Sequence, residues 1–483
     1  MLVNDIKYAF GYLLIISFVI KILDIFRKKD ILTNAISRKI LHIIACIMIA
    51  YSPFIIENIY LNLSLFSLVL IIVSLIHNKN ILQTFTVASD NYGIILLPLS
   101  YVIIYGILGF EYREIVKISY LILGISDGLA GLTGMLFANK FYKITKDTKS
   151  YLGSVVFLIT SLAIFYWQLN DKITDTQQLR LTILFLAYLL TAIEAASSYG
   201  LDNLFVPIVT SLMLYVLSYN ENYFYVYNLH INFFISTLAA YLSYKYKFLK
   251  KDGAFGAFIL AFALLSFGSW KWIIPVLTFF FLSSILSKLR KKVNNDVELN
   301  FEKSDTRDIY QVFANGGLGI PLVLLYYFYN NEIFYIAFVV FIAAATADTW
   351  ATEIGTMFKT TTYSIKNFKK VKPGVSGGVS YVGTFGSFLG ATLISFTAYL
   401  YHQNFKYFII IALLGFAGSI IDSLIGAFWQ NQNICTQCHS ITERKVHCGI
   451  KTEHNSGIHW LNNDLVNFIS NFIVSLLIFL TIL

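Results

Sequence analysis

The sequence predicts an all-α, polytopic integral membrane protein, with about 14–16 transmembrane helices in two bundles. Three observations carry this. Of 483 residues, 57% are hydrophobic and only 13% charged, about half the charged share of a soluble globular chain. Apolar runs of about 17–22 residues recur from end to end, each long enough to cross a bilayer as a helix. Basic residues gather in short loops between the runs, as the positive-inside rule requires of cytoplasmic loops.

The first run, "YAFGYLLIISFVIKILDIF", exceeds a signal-peptide core and lacks a small-residue cleavage site. It reads as a retained helix stopped by the basic Arg27–Lys29. Further clear runs are "LNLSLFSLVLIIVSLI", "LRLTILFLAYLLTAIEAA", "WIIPVLTFFFLSSIL", "YFIIIALLGFAGSII" and "VNFISNFIVSLLIFLTIL". The basic loops at 27–39, 139–150, 287–292 and 366–374 mark the cytoplasmic side, where nucleotides are found. A multi-pass location, in a bacterial inner membrane and with sites facing the cytoplasm, is the expectation. The net charge of +9 is ordinary for such a chain. No basic stripe is interleaved with exposed aromatics in a soluble domain, so nucleic acid is not an expected partner.

Polar stretches at 218–228 and 243–253 bracket one apolar segment, and each side of them holds its own set of polar motifs. This divides the chain into domains 1–225 and 226–483, the second with a Cys/His-rich loop at 430–460. A transporter built of two halves would also show two polar clusters.

In the first half, "GISDGLAGLTGMLFANKFYKITKDTKSYLGS" (124–154) combines Asp127 and three-spaced glycines with Lys149 and Ser150. A carboxylate for a divalent ion, lysines, hydroxyls and a helix start are what phosphate chemistry requires. "SRKILHII" puts Arg38 and His42 four apart, on one helix face. "AIEAASSYGLDNLFVPI" places Glu194 inside an apolar run and Asp202 and Asn203 at its end, and intramembrane acids mark functional sites by default.

Together these segments resemble the phytol kinase and dolichol kinase family of membrane CTP-dependent lipid kinases. The matches are "RKxxH", "DGxAxxxG…K…KSxxGS" and "E…DNxxxP", covering about residues 30–220. The resemblance implies Asp127 as base or Mg²⁺ ligand near a lipid hydroxyl, and Lys149 and Ser150 on nucleotide phosphates. Arg38, His42 and Glu194 would lie nearby, with Asp202 and Asn203 completing the ion site.

In the second half, Arg307, Gln311 and Asn315 recur every four residues along one face. "TADTWATEIG" carries Asp348 and Glu353, which an ideal helix separates by about 140°. Asp348 is favoured as a metal or phosphate-side ligand, and Glu353 as a second ligand or the partner of a base. The stretch "KPGVSGGVSYVGTFGS" offers Gly377, Gly378 and Ser380 in an anion-binding turn. Asp422, Gln430, Asn463, Asp464 and Asn467 follow. Between them lie Cys435, Cys438, His447 and Cys448, and four of the eight histidines fall within 435–459. A structural zinc on the three cysteines and either His439 or His447 is one reading, reduced free thiols the other.

This half resembles the family called domain of unknown function 92, which includes phytyl-phosphate kinase. Its matches are "RDxxQVxANG", "ADTWATEIG", "PGxSGGVSxxGT", "DSxxGAxxQ", "CxxC…HCG" and "GxxWLNNDxVN", in order over about residues 250–470. It implies Mg²⁺ on Asp348, Glu353, Asp422 and Asp464, and phosphate at Arg307 and the Gly377–Ser380 loop. The two resemblances name consecutive reactions. The expected activity is a bifunctional kinase that takes an isoprenoid alcohol to its monophosphate and then its diphosphate, with CTP as donor and Mg²⁺ as cofactor. The competing classes are a CTP-dependent cytidylyltransferase making a CDP-lipid, and a two-half transporter.

Overall fold

The computed structural model describes residues 2–78, 92–219, 223–294, 306–358, 360–438 and 441–482. The chain is all-α apart from short strands in loops, and it divides into compact units at residues 1–230 and 231–483.

The helices of the first unit are α1 (Leu2–Lys28), α2 (Asn34–Ile55), α3 (Ile59–Asn78), α4 (Gly93–Leu108), α5 (Arg113–Leu121), α6 (Gly128–Phe137), α7 (Tyr151–Leu169), α8 (Thr176–Ala196) and α9 (Asp202–Tyr219), and α10 (Tyr223–Lys245) crosses the boundary. The second unit continues with α11 (Lys251–Gly268), α12 (Trp270–Val293), α13 (Ile309–Gly316), α14 (Gly319–Tyr329), α15 (Glu332–Met357), α16 (Tyr381–His402), α17 (Phe405–Phe428) and α18 (Asn463–Ile482). Antiparallel hairpin β1–β2 (Phe141–Tyr142, Lys149–Ser150) precedes α7. Before α16 come β3 (Thr362–Ser364), β4 (Lys370–Val371) and β5 (Gly378–Val379), in the order β4-β3-β5. Before α18 lie β6 (Gln432–Ile434), β7 (Ile441–Thr442), β8 (Val446–His447), β9 (Ile450–Lys451) and β10 (Glu453–Ser456), arranged as β10-β6-β7 and β8-β9.

Among the described residues, 11 helices are long and apolar enough to cross a membrane, or 12 if the α13–α14 pair, bent by 44°, is one span. Apolar stretches also run over Ile59–Leu75 within α3, over α4 (Gly93–Leu108) and over Asp202–Ser218 within α9. The sequence expectation of about 14–16 spans is of the whole chain, whereas these numbers are of the described residues. The 16 residues of α4 reach only about 24 Å, short of a hydrocarbon core of about 30 Å.

In the first unit, α5 does not run straight into α6. Residues Ile122–Asp127 wind as a π-helix, the kind of local insertion that re-aims a side chain. Gly124 lets this turn close on α2, since a Cβ there would meet the Cys46 Cβ at 2.5 Å. Asp127 is thereby set, buried, at the end of the turn.

In the second unit α15 is the central helix. Every residue from Tyr335 to Ala347 is buried, so it is apolar all round, as a fully enclosed helix must be. Small residues bring its neighbours close: Gly390 of α16 faces Thr346, and Gly415 and Gly418 of α17 face Ala343 and Ala344. Lipid tails are as apolar as leucine, so close van der Waals packing drives such contacts.

A Cβ at Gly418 would lie 2.5 Å from the Ala344 Cβ. Gly418→Leu should therefore lower the melting temperature in detergent by several degrees, at an overpacking cost of about 1–3 kcal/mol. Leu424→Ala, on a more exposed position of the same helix, should shift it far less.

Candidate functional sites

Each unit holds its own cavity. In the first unit a cavity of about 400 Å³ is lined along most of its wall by apolar side chains of α1 to α4, including Leu13, Ile16, Met48, Phe66, Val69 and Leu97. One end is polar: Arg38, Lys39, His42, Asp127, Asp147, Asp202 and Asn203 meet there. Lys39 Nζ lies 2.8 Å from Asp127 Oδ2, and His42 Nε2 lies 3.3 Å from the same oxygen. Lys149 Nζ, from β2, contacts Glu194 Oε1 at 2.6 Å and Asp202 Oδ2 at 3.4 Å. Burial alone would push the Lys149 ammonium down, but Asp202, Glu194 and Asp127 hold it above the usual lysine range.

Loop geometry fixes these groups. Ser150 is the N-cap of α7 and accepts from Gly153 N at 3.0 Å. Asp147 Oδ2 accepts from Tyr199 N at 2.9 Å, tying the hairpin loop to the turn before α9. Asn203 Nδ2 donates to Gly93 O at 2.8 Å, tying α9 to the start of α4. Thus Arg38, His42, Asp127, Asp202 and Asn203 share one cavity end, and Lys149 and Glu194 reach it through Asp202. Sequence reading set Lys39 beside Arg38 and His42 at the start of a helix but gave it no site role, and it passed over Asp147. Lys39 carried a signal, since it lies three residues before His42 on the same helix face.

In the second unit a cavity of about 290 Å³ collects motifs scattered over 180 positions of chain, from Ser287 to Asn467. Arg307, Gln311, Asn315, Asp348, Glu353, Gly377, Gly378, Ser380, Asp422, Gln430, Asn463, Asp464 and Asn467 all line it. Asp348 and Asp422, from α15 and α17, hydrogen-bond to each other. Asp422 Oδ2 also accepts from Ser470 Oγ at 3.0 Å and from the Asn467 amide nitrogen at 3.0 Å, in the orientation that satisfies both ends of that amide.

Glu353 answers a different charge. Its carboxylate takes Arg290 Nε at 2.6 Å and Ser287 Oγ at 2.6 Å, both from α12. The two acids of "TADTWATEIG" therefore line one cavity from separate sides, Asp348 toward Asp422 and Glu353 toward an arginine. Arg290 lay in a run read only as a basic anchor. Arg307 is packed over the Phe279 and Phe280 rings. Burial lowers it to about 10, with the Glu353 charge opposing, so it stays cationic at neutral pH.

Several lining residues also hold the rim in shape. Gln311 closes a capping box with Asp308 at the start of α13, and Ser380 caps α16. Gly377 takes φ +74°, a turn that favours glycine, and a Cβ there would run into Ala427. Gln430 receives Ser376 Oγ at 2.7 Å and donates to Glu443 Oε1 at 2.7 Å. Cys435, Cys438, His447 and Cys448 converge beside this rim, whereas His439 lies outside the described residues.

A family model described as "Integral membrane protein DUF92" matches residues 234–475. The "Uncharacterized membrane protein MJ0933" of Methanocaldococcus jannaschii is 31% identical over 213 residues, 44% of this chain and 87% of that protein. "Protein PGR" of Arabidopsis thaliana is 27% identical over 269 residues, 50% of this chain and 92% of that protein. The "Uncharacterized membrane protein sll0875" of Synechocystis is 23% identical over 248 residues, 50% of this chain and 85% of that protein. No solved structure matches.

Removing one partner of a buried ion pair strands the other charge. Glu353→Ala should cost about 3–5 kcal/mol of stability by that mechanism. The double change Glu353→Leu with Arg290→Met should recover most of it, read as melting temperature in detergent. Equal losses in the single and double variants would contradict a dominant Glu353–Arg290 pair.

Proposed function

The chain belongs to the DUF92 family of integral membrane proteins, and from that premise we propose that it is a bifunctional membrane kinase making an isoprenyl diphosphate from the alcohol. The first unit transfers a phosphoryl group to an isoprenoid alcohol, and the second adds another to the monophosphate. CTP is the donor and Mg²⁺ the cofactor at both sites.

The observation that carries this reading is the shape and chemistry of the first cavity. An apolar slot ending in Asp127, Lys39, His42, Arg38 and Asp202 suits a molecule with a long hydrocarbon tail and a single reactive head. The tail would lie along the apolar wall, and the head would meet the end where Arg38, Lys39, Asp127 and Asp202 bring their charges together. Asp127 accepts the alcohol proton as the oxygen attacks the γ-phosphorus of CTP, and the bond to the β–γ bridging oxygen breaks to release CDP. Lys39 and Arg38 neutralise the phosphates. When Lys39 turns to phosphate, Asp127 is freed from its ion pair to take the proton.

At the second cavity the acceptor is already an oxyanion, so no base is required. Charge neutralisation and alignment are the whole task. Two carboxyls set against each other, with the neutral donors Ser470 and Asn467 on Asp422, suit a divalent cation. Asp348, Asp422 and Asp464 would hold Mg²⁺, which when bound shields the transferring phosphate. Arg307, Arg290 and the backbone of Gly377–Ser380 face the remaining oxygens. By the positive-inside rule, the basic loops beside both sites support sites that face the cytoplasm. A monophosphate that stays in the bilayer reaches the second site at high effective concentration.

Incubating the purified protein with geranylgeraniol and CTP labelled at the γ- or the α-phosphate separates the possibilities. The kinase reading expects γ-label in lipid monophosphate and diphosphate; α-label in lipid would instead mark a cytidylyltransferase, and no label would defeat both. Asp127→Asn should abolish monophosphate formation by at least 100-fold, as expected for loss of a general base, yet still convert supplied monophosphate. Asp348→Asn should do the reverse. Loss of both steps in either variant would contradict two sites.

A further inference from the structure

The Cys/His cluster lies outside the chemistry assigned to either cavity. Its ligand atoms, Cys435 Sγ, Cys438 Sγ, a His447 ring nitrogen and Cys448 Sγ, all lie within 4.8 Å of one another. His447 Nδ1 is 3.5 Å from Cys438 Sγ and 3.2 Å from Cys448 Sγ. In a tetrahedral site with Zn–S near 2.3 Å, neighbouring ligand atoms stand roughly 3.5–3.8 Å apart. The two His447–thiol distances are already near that spacing, and the whole set lies within an ångström or so of it.

Adjacent residues seldom ligate the same ion, and the backbone here shows how they do. Cys448 adopts φ +51° and Gly449 φ +79°. The consecutive left-handed residues form the reversal between β8 and β9 and turn the Cys448 side chain back toward the imidazole of its neighbour. A non-glycine residue in this region carries strain that needs a compensating interaction. Binding one ion through both side chains would supply it.

Cys435 directly follows β6 and is fully buried, whereas Cys438 is exposed. Strand β6 pairs with β7, which ends at Thr442, so the next residue is Glu443. Glu443 accepts from the buried Gln430, and Gln430 holds Ser376 of the glycine-rich loop. Both Glu443 and Gln430 line the second cavity.

We propose that Cys435, Cys438, His447 and Cys448 form a structural zinc site, and that this knuckle fixes the rim of the second cavity through Glu443, Gln430 and Ser376. Three thiolates and a neutral imidazole bind Zn²⁺ with a net charge of −1, and three thiol protons pass to bulk water. All four positions go to protein, so the metal is closed to substrate. The site's task is mechanical, and it stands whatever substrate the cavity takes.

The test is zinc content by inductively coupled plasma mass spectrometry on the protein purified in detergent under reducing conditions. One zinc per chain is expected, with at least tenfold loss in Cys438→Ser and in His447→Gln, and full retention in His439→Gln. Should a variant fail to fold, the wild-type protein still decides. Mercurial displacement of thiols should release one zinc per chain to a colorimetric chelator. Hydrogen exchange should then quicken across 430–456 and the 374–380 loop, while residues 1–218 stay as they were. Wild-type protein without zinc, or with its cysteines joined in a disulfide, overturns the metal site. Zinc release that leaves exchange at 374–380 unchanged overturns the link to the rim.

Discussion

A charge held where water is scarce must be answered by another charge, and that constraint organises both units. A lone carboxylate away from water costs several kcal/mol or changes its protonation. Asp127 is answered by Lys39 and His42, and Glu194 and Asp202 by Lys149. Glu353 is answered by Arg290. The Asp348–Asp422 pair differs in kind, because each carboxyl faces the other. An acid answered by a base is ready to move a proton or to release that base to phosphate. An acid answered by an acid is ready for a cation.

The scaffold around these charges is built to keep them close. In the first unit, a π-turn and a glycine let the helix carrying Asp127 press against the helix carrying Lys39 and His42. In the second, glycines of α16 and α17 seat both helices against α15, which brings Asp422 to Asp348. Close packing and site geometry are the same feature seen twice: a bulkier side chain at these glycines would part the helices and the charges together. The two cavities differ where the proposed steps differ. The first has an apolar wall, which suits the proposed hydrocarbon tail, whereas the second is lined mainly by polar groups.

Much of this was legible in the chain. Apolar runs gave the all-α membrane class, and polar residues breaking those runs included most of the charged groups that line the two cavities. Hydropathy could not show where helices break, as at the π-turn before α6 or the 44° bend between α13 and α14. Partner choice was also hidden. The 140° between Asp348 and Glu353 shows that they diverge, but nothing local says that Glu353 meets Arg290, some 60 positions earlier. Arg290 counted only as part of a basic cytoplasmic loop, because a basic residue at a helix end reads the same whether its head meets water or a buried acid. The capping roles of Ser150, Gln311 and Ser380 show the converse: polar residues in phosphate-like motifs that also hold a helix start in place.

The central claim is that each half binds its own nucleotide through its own set of charges. Equilibrium dialysis of radiolabelled CTP against the detergent-purified protein, in the presence of Mg²⁺, tests it directly. The account predicts two CTP bound per chain, falling to one when Asp348 and Asp422 are both changed to Asn. A wild-type stoichiometry of one or none would contradict it.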